Sequence, residues 1–179
     1  MTPTPSDDIL LQRTRRRILD HIAGHPGLSA RELQRALDLG WGETAYHLEQ
    51  LVRANALRRE RTGRRDAYFD PAVPWADRRL LVVLRGGATR QLLLELSSTA
   101  ALTFSDLQRR LDVSKSTLSF HLTRLIAAGV VEEVRADSGR AYRVPDRERV
   151  AQLVREHRTS FEDRLIDRFI ETWASLLPE

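Results

Sequence analysis

The chain has 179 residues and no cysteine, which excludes disulfide bonds, thiolate metal sites and cysteine nucleophiles. This length allows one or two small domains. No apolar run approaches the roughly 18 residues of a membrane-spanning helix, and the start, MTPTPSDD, lacks the basic and then apolar pattern of a signal peptide. We therefore expect a cytoplasmic protein without a membrane partner.

Basic residues are concentrated in two stretches of the chain. Residues 9–70 contain 12 basic and 8 acidic residues, and residues 76–145 contain 11 and 7, so each stretch has a net charge of +4. The two ends, residues 1–8 and 146–179, are each at −2. This distribution favours phosphate binding by the two basic stretches, because each neutralised phosphate releases counterions.

The two basic stretches are related by an internal repeat. A shift of 74 positions aligns residues 28–57 with residues 102–131 without a gap. The identical segments are Leu-Gln-Arg at 33–35 and 107–109, Leu-Asp at 37–38 and 111–112, and His-Leu at 47–48 and 121–122. We interpret the chain as a tandem duplication of one domain.

The first domain is predicted over residues 9–70, after a disordered tail at residues 1–8. Ser29 and Glu32 have the spacing of a capping box and predict the start of the second helix. The hairpin at the end of the domain is expected to form a wing. The predicted elements are helices at 9–23, 30–37 and 41–54 and strands at 56–61 and 66–69.

Residues 71–87 are predicted to form a linker and an extra helix, and residues 88–145 form the second domain. The extra helix, at 76–85, contains the apolar run LLVVL and is expected to be buried. The predicted elements of the second domain are helices at 88–97, 105–111 and 115–128 and a wing at 130–144 that turns at 137–139.

The stretch DVSKSTLSFHLTRLIAAG, residues 112–129, is predicted to be the second helix of a helix-turn-helix. Either Asp112 or Ser114 can cap its start, and Gly129 suits a left-handed closing residue. Its polar face is slim enough to enter a major groove, although the same pattern fits an ordinary amphipathic surface helix. A buried stripe is expected from Leu118, Leu122, Leu125 and Ile126.

The last predicted helix lies within residues 146–179 and runs from about residue 146 to 177. At about 30 residues it spans about 45 Å, more than one such domain can cover. We expect it to pair with a second copy in a homodimer. The alternative is that it folds back across both repeats in a monomer. The candidate dimerisation residues share one stripe: Leu153, His157, Phe161, Leu165, Phe169 and Trp173.

The segment VSKSTLSFHLTRLIAAGVVEE, residues 113–133, is similar to the recognition helix and following strand of ArsR-like and MarR-like winged helix-turn-helix regulators. The first repeat, with HPGLSARELQRALDLGWGETAYHLEQL, resembles a subgroup common in archaea that has two such domains in one chain. The resemblance covers about residues 14–145 and implies a dimer. The expected fold is mainly α with small β-wings (α+β), with two tandem winged helix-turn-helix domains and a long C-terminal helix.

Double-stranded DNA is the expected partner. The second recognition helix is the better candidate reader, because the first contains Glu43 and Glu49, which repel phosphate, and has no basic residue before Arg53. The candidate DNA-binding residues in the two helices are Thr44, His47, Lys115, Ser116, Thr117, Ser119, His121, Thr123 and Arg124. For the equivalent His47 and His121, packing at the helix junction is the alternative. The candidates in the two wings are Arg58, Arg59, Arg61, Arg64, Arg65, Arg135, Arg140 and Arg143.

No catalytic constellation or cofactor motif is recognised, so an enzyme is not expected. His21 and His25 have the spacing of a metal pair, but Gly24 and Pro26 interrupt the helix and no metal is expected. The preferred hypothesis is a nucleoid-associated transcriptional regulator. The alternatives are a chromatin-like architectural protein with weak sequence preference and a protein-interaction scaffold, which an exposed Trp41 and Tyr46 favour.

Overall fold

The computed structural model describes residues 5–62, 65–136, 139–161 and 170. The chain divides into two compact units, Met1–Arg78 (unit 1) and Arg79–Glu179 (unit 2). Both units combine helices with a small antiparallel sheet, which places the fold in the predicted α+β class.

Unit 1 starts with a helix that is longer than predicted. This helix begins at Pro5, so the prediction of a disordered tail is wrong for residues 5–8. Ser29 and Glu32 form the predicted capping box, since Ser29 N donates to Glu32 Oε2 at 2.8 Å and Glu32 N donates to Ser29 Oγ at 3.4 Å. The elements are α1 (Pro5–Gly24), α2 (Ala30–Leu37), α3 (Trp41–Arg53), β1 (Arg58–Thr62) and β2 (Arg65–Phe69).

The core of unit 1 lies between its three helices and the hairpin. Ile18 and Ile22 of α1 and Leu33 of α2 are fully buried, and Leu48 of α3 packs in the same cluster. Strands β1 and β2 are antiparallel, with Arg58 opposite Phe69, and Leu28 forms a bridge to Tyr68 beside them. The predicted helices and hairpin of this domain are therefore present.

The next helix, α4 (Trp75–Arg85), corresponds to the extra helix of the sequence, and the boundary between the units lies within it. Leu81, Val83 and Leu84 are buried, and the other two residues of the LLVVL run are half-buried. The predicted burial of this run is confirmed.

Unit 2 repeats the three helices and the hairpin of unit 1 in the same order, with one short strand inserted after the first of these helices and two helices added at its end. The inserted strand, β3 (Leu102–Thr103), contains only two residues and was not predicted, because so short a strand has no periodic pattern. With β4 (Glu132–Ala136) and β5 (Gly139–Arg143) it forms an antiparallel sheet in the order β3-β5-β4. The elements are α5 (Gly87–Ser97), β3 (Leu102–Thr103), α6 (Phe104–Leu111), α7 (Lys115–Ala127), β4 (Glu132–Ala136), β5 (Gly139–Arg143), α8 (Arg147–Glu156) and α9 (Arg158–Phe161).

The internal repeat extends to unusual backbone conformations. Asp38 and Asp112 are equivalent in the repeat, and each closes its helix in the left-handed region, with φ of 52° and 49°. Asp112 therefore ends α6, and of the two cap candidates Ser114 is the one that caps α7, through a bond from Thr117 N to its Oγ. Gly129, with φ of 68°, is left-handed as predicted.

The C-terminal segment departs from the predicted single helix. α8 ends at Glu156, the next residue His157 has a non-helical φ of −114° and ψ of 25°, and α9 follows. Leu153 and Phe161 are buried within unit 2 of one chain, so the prediction that these two residues contact a second copy is wrong, and His157 is half-buried. The Arg85 guanidinium donates to the Ser160 oxygens and lies 5.1 Å from the Phe161 ring centroid. Leu165, Phe169 and Trp173 lie outside the described residues.

His47 is part of the core of unit 1, although it was predicted to contact DNA. Its side chain is 0% exposed, and neither ring nitrogen has a hydrogen-bond partner within the described part of the chain. Burial lowers the pKa of His47, the nearby Arg15 lowers it further, and Glu43 opposes the shift. The structure therefore favours a neutral imidazole.

We predict that unit 1 loses stability as the pH falls below about 6.5, where an unfolded histidine takes up a proton and His47 in the fold resists it. The free energy of unfolding should be constant above that pH and should fall by at most about 1.4 kcal/mol per pH unit until the lowered pKa is reached. Urea unfolding at several pH values measures this, followed by tryptophan fluorescence in a Trp75→Phe, Trp173→Phe background, where Trp41 is the remaining tryptophan. His47→Gln should abolish this dependence of the free energy of unfolding on pH, whereas His121→Gln, in unit 2, should leave it unchanged. The prediction is wrong if the free energy has the same slope against pH in wild type and in His47→Gln.

We also predict that Gly129→Ala destabilises unit 2 by about 1 to 2 kcal/mol, since a left-handed conformation brings Cβ close to the backbone. Gly129→Asn should be milder, because Asn55 has the equivalent position in unit 1 with φ of 55°. Alanine and asparagine would each place a Cβ atom beside Arg79, whose Nη2 lies 3.2 Å from the Cβ position. The difference in stability between the two variants therefore isolates the backbone effect. Urea unfolding tests the pair, and equal destabilisation by Ala and Asn would refute the explanation.

Candidate nucleic-acid interface

The exposed face of α7 is polar and basic. Leu118, Leu122 and Leu125 are buried as predicted, and they turn the opposite side of the helix to solvent. The exposed candidates are Lys115, Ser116, Thr117, Ser119, Thr123 and Arg124. Ile126 was predicted in the buried stripe but is 38% exposed, because it lies about 80° around the helix from Leu118 and beyond the edge of the packed surface.

The start of α7 combines a capped helix terminus with a cluster of hydroxyl groups. Ser114 Oγ accepts from Thr117 N at 3.1 Å and lies 3.0 Å from Ser116 Oγ and 2.8 Å from Thr117 Oγ1. The exposed Lys115 adjoins this cluster. A helix N-terminus with free amides, hydroxyls and a lysine suits a phosphate oxygen.

An exposed aromatic ring lies further along α7. Phe120 is 58% exposed, and the Arg124 guanidinium carbon is 5.6 Å from its ring centroid. Sequence reasoning missed Phe120, although two signals were available: it falls opposite the leucine stripe, and it is equivalent in the repeat to Tyr46. The chemistry of α7 therefore includes an apolar group beside a cation.

His121 follows Phe120 and is only half-buried, with its ring edge-on to Phe120 at a centroid distance of 5.3 Å. Its Nδ1 is buried without a hydrogen-bond partner within the described part of the chain. Burial lowers the pKa of His121, and the charge of Arg124 adds to the effect. His121 is thus suited to support the helix surface rather than to bind phosphate as a cation.

The corresponding face of α3 has a different chemistry. Trp41 and Tyr46 are 53% and 49% exposed, and the side chain of Glu43 is also at the surface. Glu49 forms ion pairs with Arg53 at 3.1 Å and with Arg59 at 3.2 Å. The first half of α3 therefore presents aromatic and acidic groups but no cation.

Two predicted contacts in α3 are wrong. Thr44 is fully buried and its Oγ1 donates to the Gly40 carbonyl at 2.9 Å, and His47 is in the core. Both lie on the side of α3 that includes Leu48 and Leu51, at a spacing of three or four residues, and this position buries them despite their polarity. Neither can reach DNA from this fold.

The wing of unit 1 is formed by β1, β2 and their connection. Arg58, Arg59, Arg61 and Arg65 are exposed, as a DNA-contacting role requires, and Arg64 lies outside the described residues. Arg58 Nη1 donates to Asn55 Oδ1 at 3.4 Å, and Arg59 pairs with Glu49. Neither Arg61 nor Arg65 forms an ion pair with another residue in the described ranges.

The wing of unit 2 has exposed arginines on both strands. Arg140 pairs with Glu133 at 2.9 Å and Arg143 with Glu132 at 2.5 Å, the latter directly across the strands. Arg135 is exposed and has no ion pair among the residues that the structure describes. Exposed pairs of this kind contribute about 0 to 1 kcal/mol, so the arginines remain available to phosphate.

The described residues contain no group of three or more histidine, aspartate or glutamate side chains that could hold a metal ion. Among the helices of these residues, none combines the length and the apolar composition that a membrane-spanning segment needs.

Comparisons with known proteins agree with this geometry. Residues 12–81 match a family model described as an N-terminal HTH domain, and residues 87–134 match one described as a helix-turn-helix domain. The HTH-type transcriptional regulator MJ1398 of Methanocaldococcus jannaschii, described as uncharacterized, is 25% identical over 126 residues. The match covers 70% of this chain and 32% of that protein, so the chain spans about one third of the relative's length.

Among solved structures, the chain is similar to one from the endosomal complex ESCRT-II (VPS22/VPS25/VPS36), with 12% identity and a TM-score of 0.34. That similarity covers 79% of this chain and 66% of the other. The chain thus contains two helix-turn-helix domains, one matched on either side of Gly86, and is similar to an archaeal HTH-type transcriptional regulator.

Proposed function

We propose that the protein is a winged-helix transcriptional regulator of the ArsR-like and MarR-like kind that reads duplex DNA through α7. The observation that carries the proposal is the composition of the exposed face of α7. It presents Lys115, Arg124 and four hydroxyl groups, and α7 contains no carboxylate. Cations and hydroxyls on a helix bind phosphates and base edges, whereas carboxylates would be repelled.

Within α7, the two cations are suited to different tasks. Lys115 lies at the capped N-terminus, where the helix dipole and the amides already favour an anion, so it is assigned to a phosphate. Arg124 lies about two and a half turns later on the exposed face, and its planar guanidinium can bind guanine O6 and N7 together. Specificity is therefore assigned mainly to Arg124.

The wings are assigned to the DNA backbone and the minor groove. Arg61, Arg65 and Arg135 supply exposed cations without an ion pair in the described ranges. A narrow minor groove has a more negative potential than the rest of the duplex and attracts arginine. These contacts add affinity that depends little on sequence.

A second candidate function, docking of a protein partner on α3, is favoured by the exposed Trp41 and Tyr46 beside Glu43. Aromatic anchors are enriched where protein interfaces are tightest. In this arrangement unit 1 contacts DNA through its wing, and α3 remains free for the partner.

We predict that Lys115→Ala combined with Arg124→Ala abolishes the selection of a DNA motif. The full-length protein is incubated with pooled random duplexes, and the retained DNA is sequenced. Wild type should enrich a recurrent motif and the variant should not, with affinity for that motif reduced roughly tenfold or more, the value of one good arginine–guanine contact.

The matched control is Arg109→Ala combined with Arg110→Ala, which removes the same number of charges from α6. Those arginines pair with Asp106 and Glu95, and their loss should weaken all sequences alike while the motif is retained. If wild type retains DNA but enriches no motif, the proposed regulator function is wrong and an architectural DNA-binding protein is favoured. No retention at low salt would leave docking on α3 as the function.

The predicted homodimer is now assigned to the segment after Phe161, since Leu153 and Phe161 are core residues of unit 2. We predict that Phe169→Asp combined with Trp173→Asp halves the mass measured by sedimentation, because an unpaired charge is strongly unfavourable in an apolar interface. Phe120→Asp, on the exposed face of α7, is the control and should leave the mass unchanged. A wild-type chain that sediments as a monomer would refute the dimer.

A further inference from the structure

Phe120 lies at the centre of the exposed face of α7, where a large apolar side chain does not contribute to the core. At about 100° per residue, it lies about 160° from Leu118 and about 140° from Leu125, which are both buried. Its neighbours on this face are hydroxyl residues, Ser116 four positions before it and Thr123 three positions after it. The ring therefore interrupts an otherwise polar surface.

The ring of Phe120 is held by contacts on its own helix. The Arg124 guanidinium carbon is 5.6 Å from the ring centroid, which is within the range of a cation–π interaction. The imidazole of His121 meets the ring edge-on at 5.3 Å. Phe120 and Arg124 thus form a pair in which an apolar surface adjoins a planar donor group.

The base edges in the major groove offer one apolar group for such a ring, the 5-methyl group of a pyrimidine, and they offer guanine O6 and N7 for an arginine. We infer that Phe120 and Arg124 form a binding site for a pyrimidine 5-methyl group next to a guanine. Phe120 contacts the methyl group and Arg124 the guanine. This inference rests on the proposed function, because it requires that α7 enters the major groove.

The surroundings of Phe120 favour a base edge over a protein partner. A protein interface generally has several apolar residues at its centre and few charges, whereas Phe120 is flanked by hydroxyls and a cation. The methyl groups in the major groove are similarly isolated among polar atoms. One aromatic ring beside one guanidinium matches that pattern.

The repeat indicates that the site belongs to unit 2 alone. Tyr46 has the position of Phe120 in α3, and the ring of His47 lies edge-on to it at 5.3 Å, as His121 does to Phe120. The position of Arg124 is occupied by Gln50, however, and that of Lys115 by Trp41. Unit 1 therefore keeps the supported ring and lacks the guanidinium.

The experiment removes the methyl group without any other change to the DNA. In the motif that wild type enriches, each thymine is replaced in turn by deoxyuridine, and the affinity of the full-length protein is measured. One replacement next to a guanine should weaken wild type about fourfold, the value of one buried methyl group. Phe120→Ala should bind thymine and uracil equally at that position, and Phe120→Leu should retain part of the discrimination.

A parallel series replaces cytosines by 5-methylcytosine, which presents the same methyl group. If a cytosine occupies the position, methylation should strengthen wild type by a similar factor and leave Phe120→Ala unchanged. The control variant is Ile126→Ala, which removes the other large apolar side chain of α7 that is exposed, about 120° away around the helix. Ile126→Ala should discriminate between bases with and without the methyl group as strongly as wild type does.

Thermal unfolding of Phe120→Ala should match that of wild type, because the side chain is exposed, and this measurement checks that the fold is intact. The inference is overturned if a motif is enriched but Phe120→Ala discriminates the methyl group as well as wild type does. It is equally overturned if no position in the motif is sensitive to the methyl group. Failure to enrich any motif is a different result, since it overturns the proposed function on which the site depends.

Discussion

The orientation of α7 about its own axis depends on the burial of three leucines. Leu118, Leu122 and Leu125 recur at helical spacing and are all buried, and α7 packs against α5 and α6. Each buried leucine contributes about 1.5 to 3 kcal/mol relative to an exposed one. A rotation by one residue, about 100°, would expose part of this stripe and move Arg124 towards the core. The apolar side of the helix therefore determines which side chains can meet a ligand.

The same constraint operates in α3 with a different outcome at the surface. Leu48 and Leu51 are buried at positions equivalent to Leu122 and Leu125, and both units repeat the capping box and the left-handed closing residues. The exposed positions have diverged in charge. Folding requires only the buried positions and those with a constrained backbone. The exposed face of the repeated domain can therefore be basic in one unit and aromatic and acidic in the other.

Local signals in the sequence predicted much of the fold. The capping box at Ser29 and the leucine spacing of α7 determine helix starts and buried faces within a few residues, so they can be recognised without the structure. The break at His157 has no such signal, since neither glycine nor proline is near it. It coincides with contacts from Arg85 to Ser160 and Phe161, residues 75 or more positions away along the chain.

The residues of the candidate site were likewise predicted only in part from the sequence. The polar face of α7 and the exposed wing arginines were predicted, because residue type and helical position agree there. At Thr44 and His47, residue type and helical position disagree. Polarity suggested exposure, but the position of these two residues beside Leu48 buries both. Phe120 is the opposite case, an apolar residue on the solvent side. Helical position is thus the better guide to exposure in this fold, and residue type then indicates what an exposed position can bind.

In the wings, ion pairs order arginine side chains and still leave their charge available to a phosphate. Glu132 lies directly opposite Arg143 in the hairpin of unit 2, and Glu133 pairs with Arg140 along the same two strands. Such cross-strand pairs stabilise a hairpin modestly, and at the surface they are weakened further by salt. A phosphate can therefore replace a glutamate as the partner of an arginine at little energetic cost. The wings are suited to supply affinity that varies with salt, and sequence discrimination is left to the face of α7 that the leucine stripe orients.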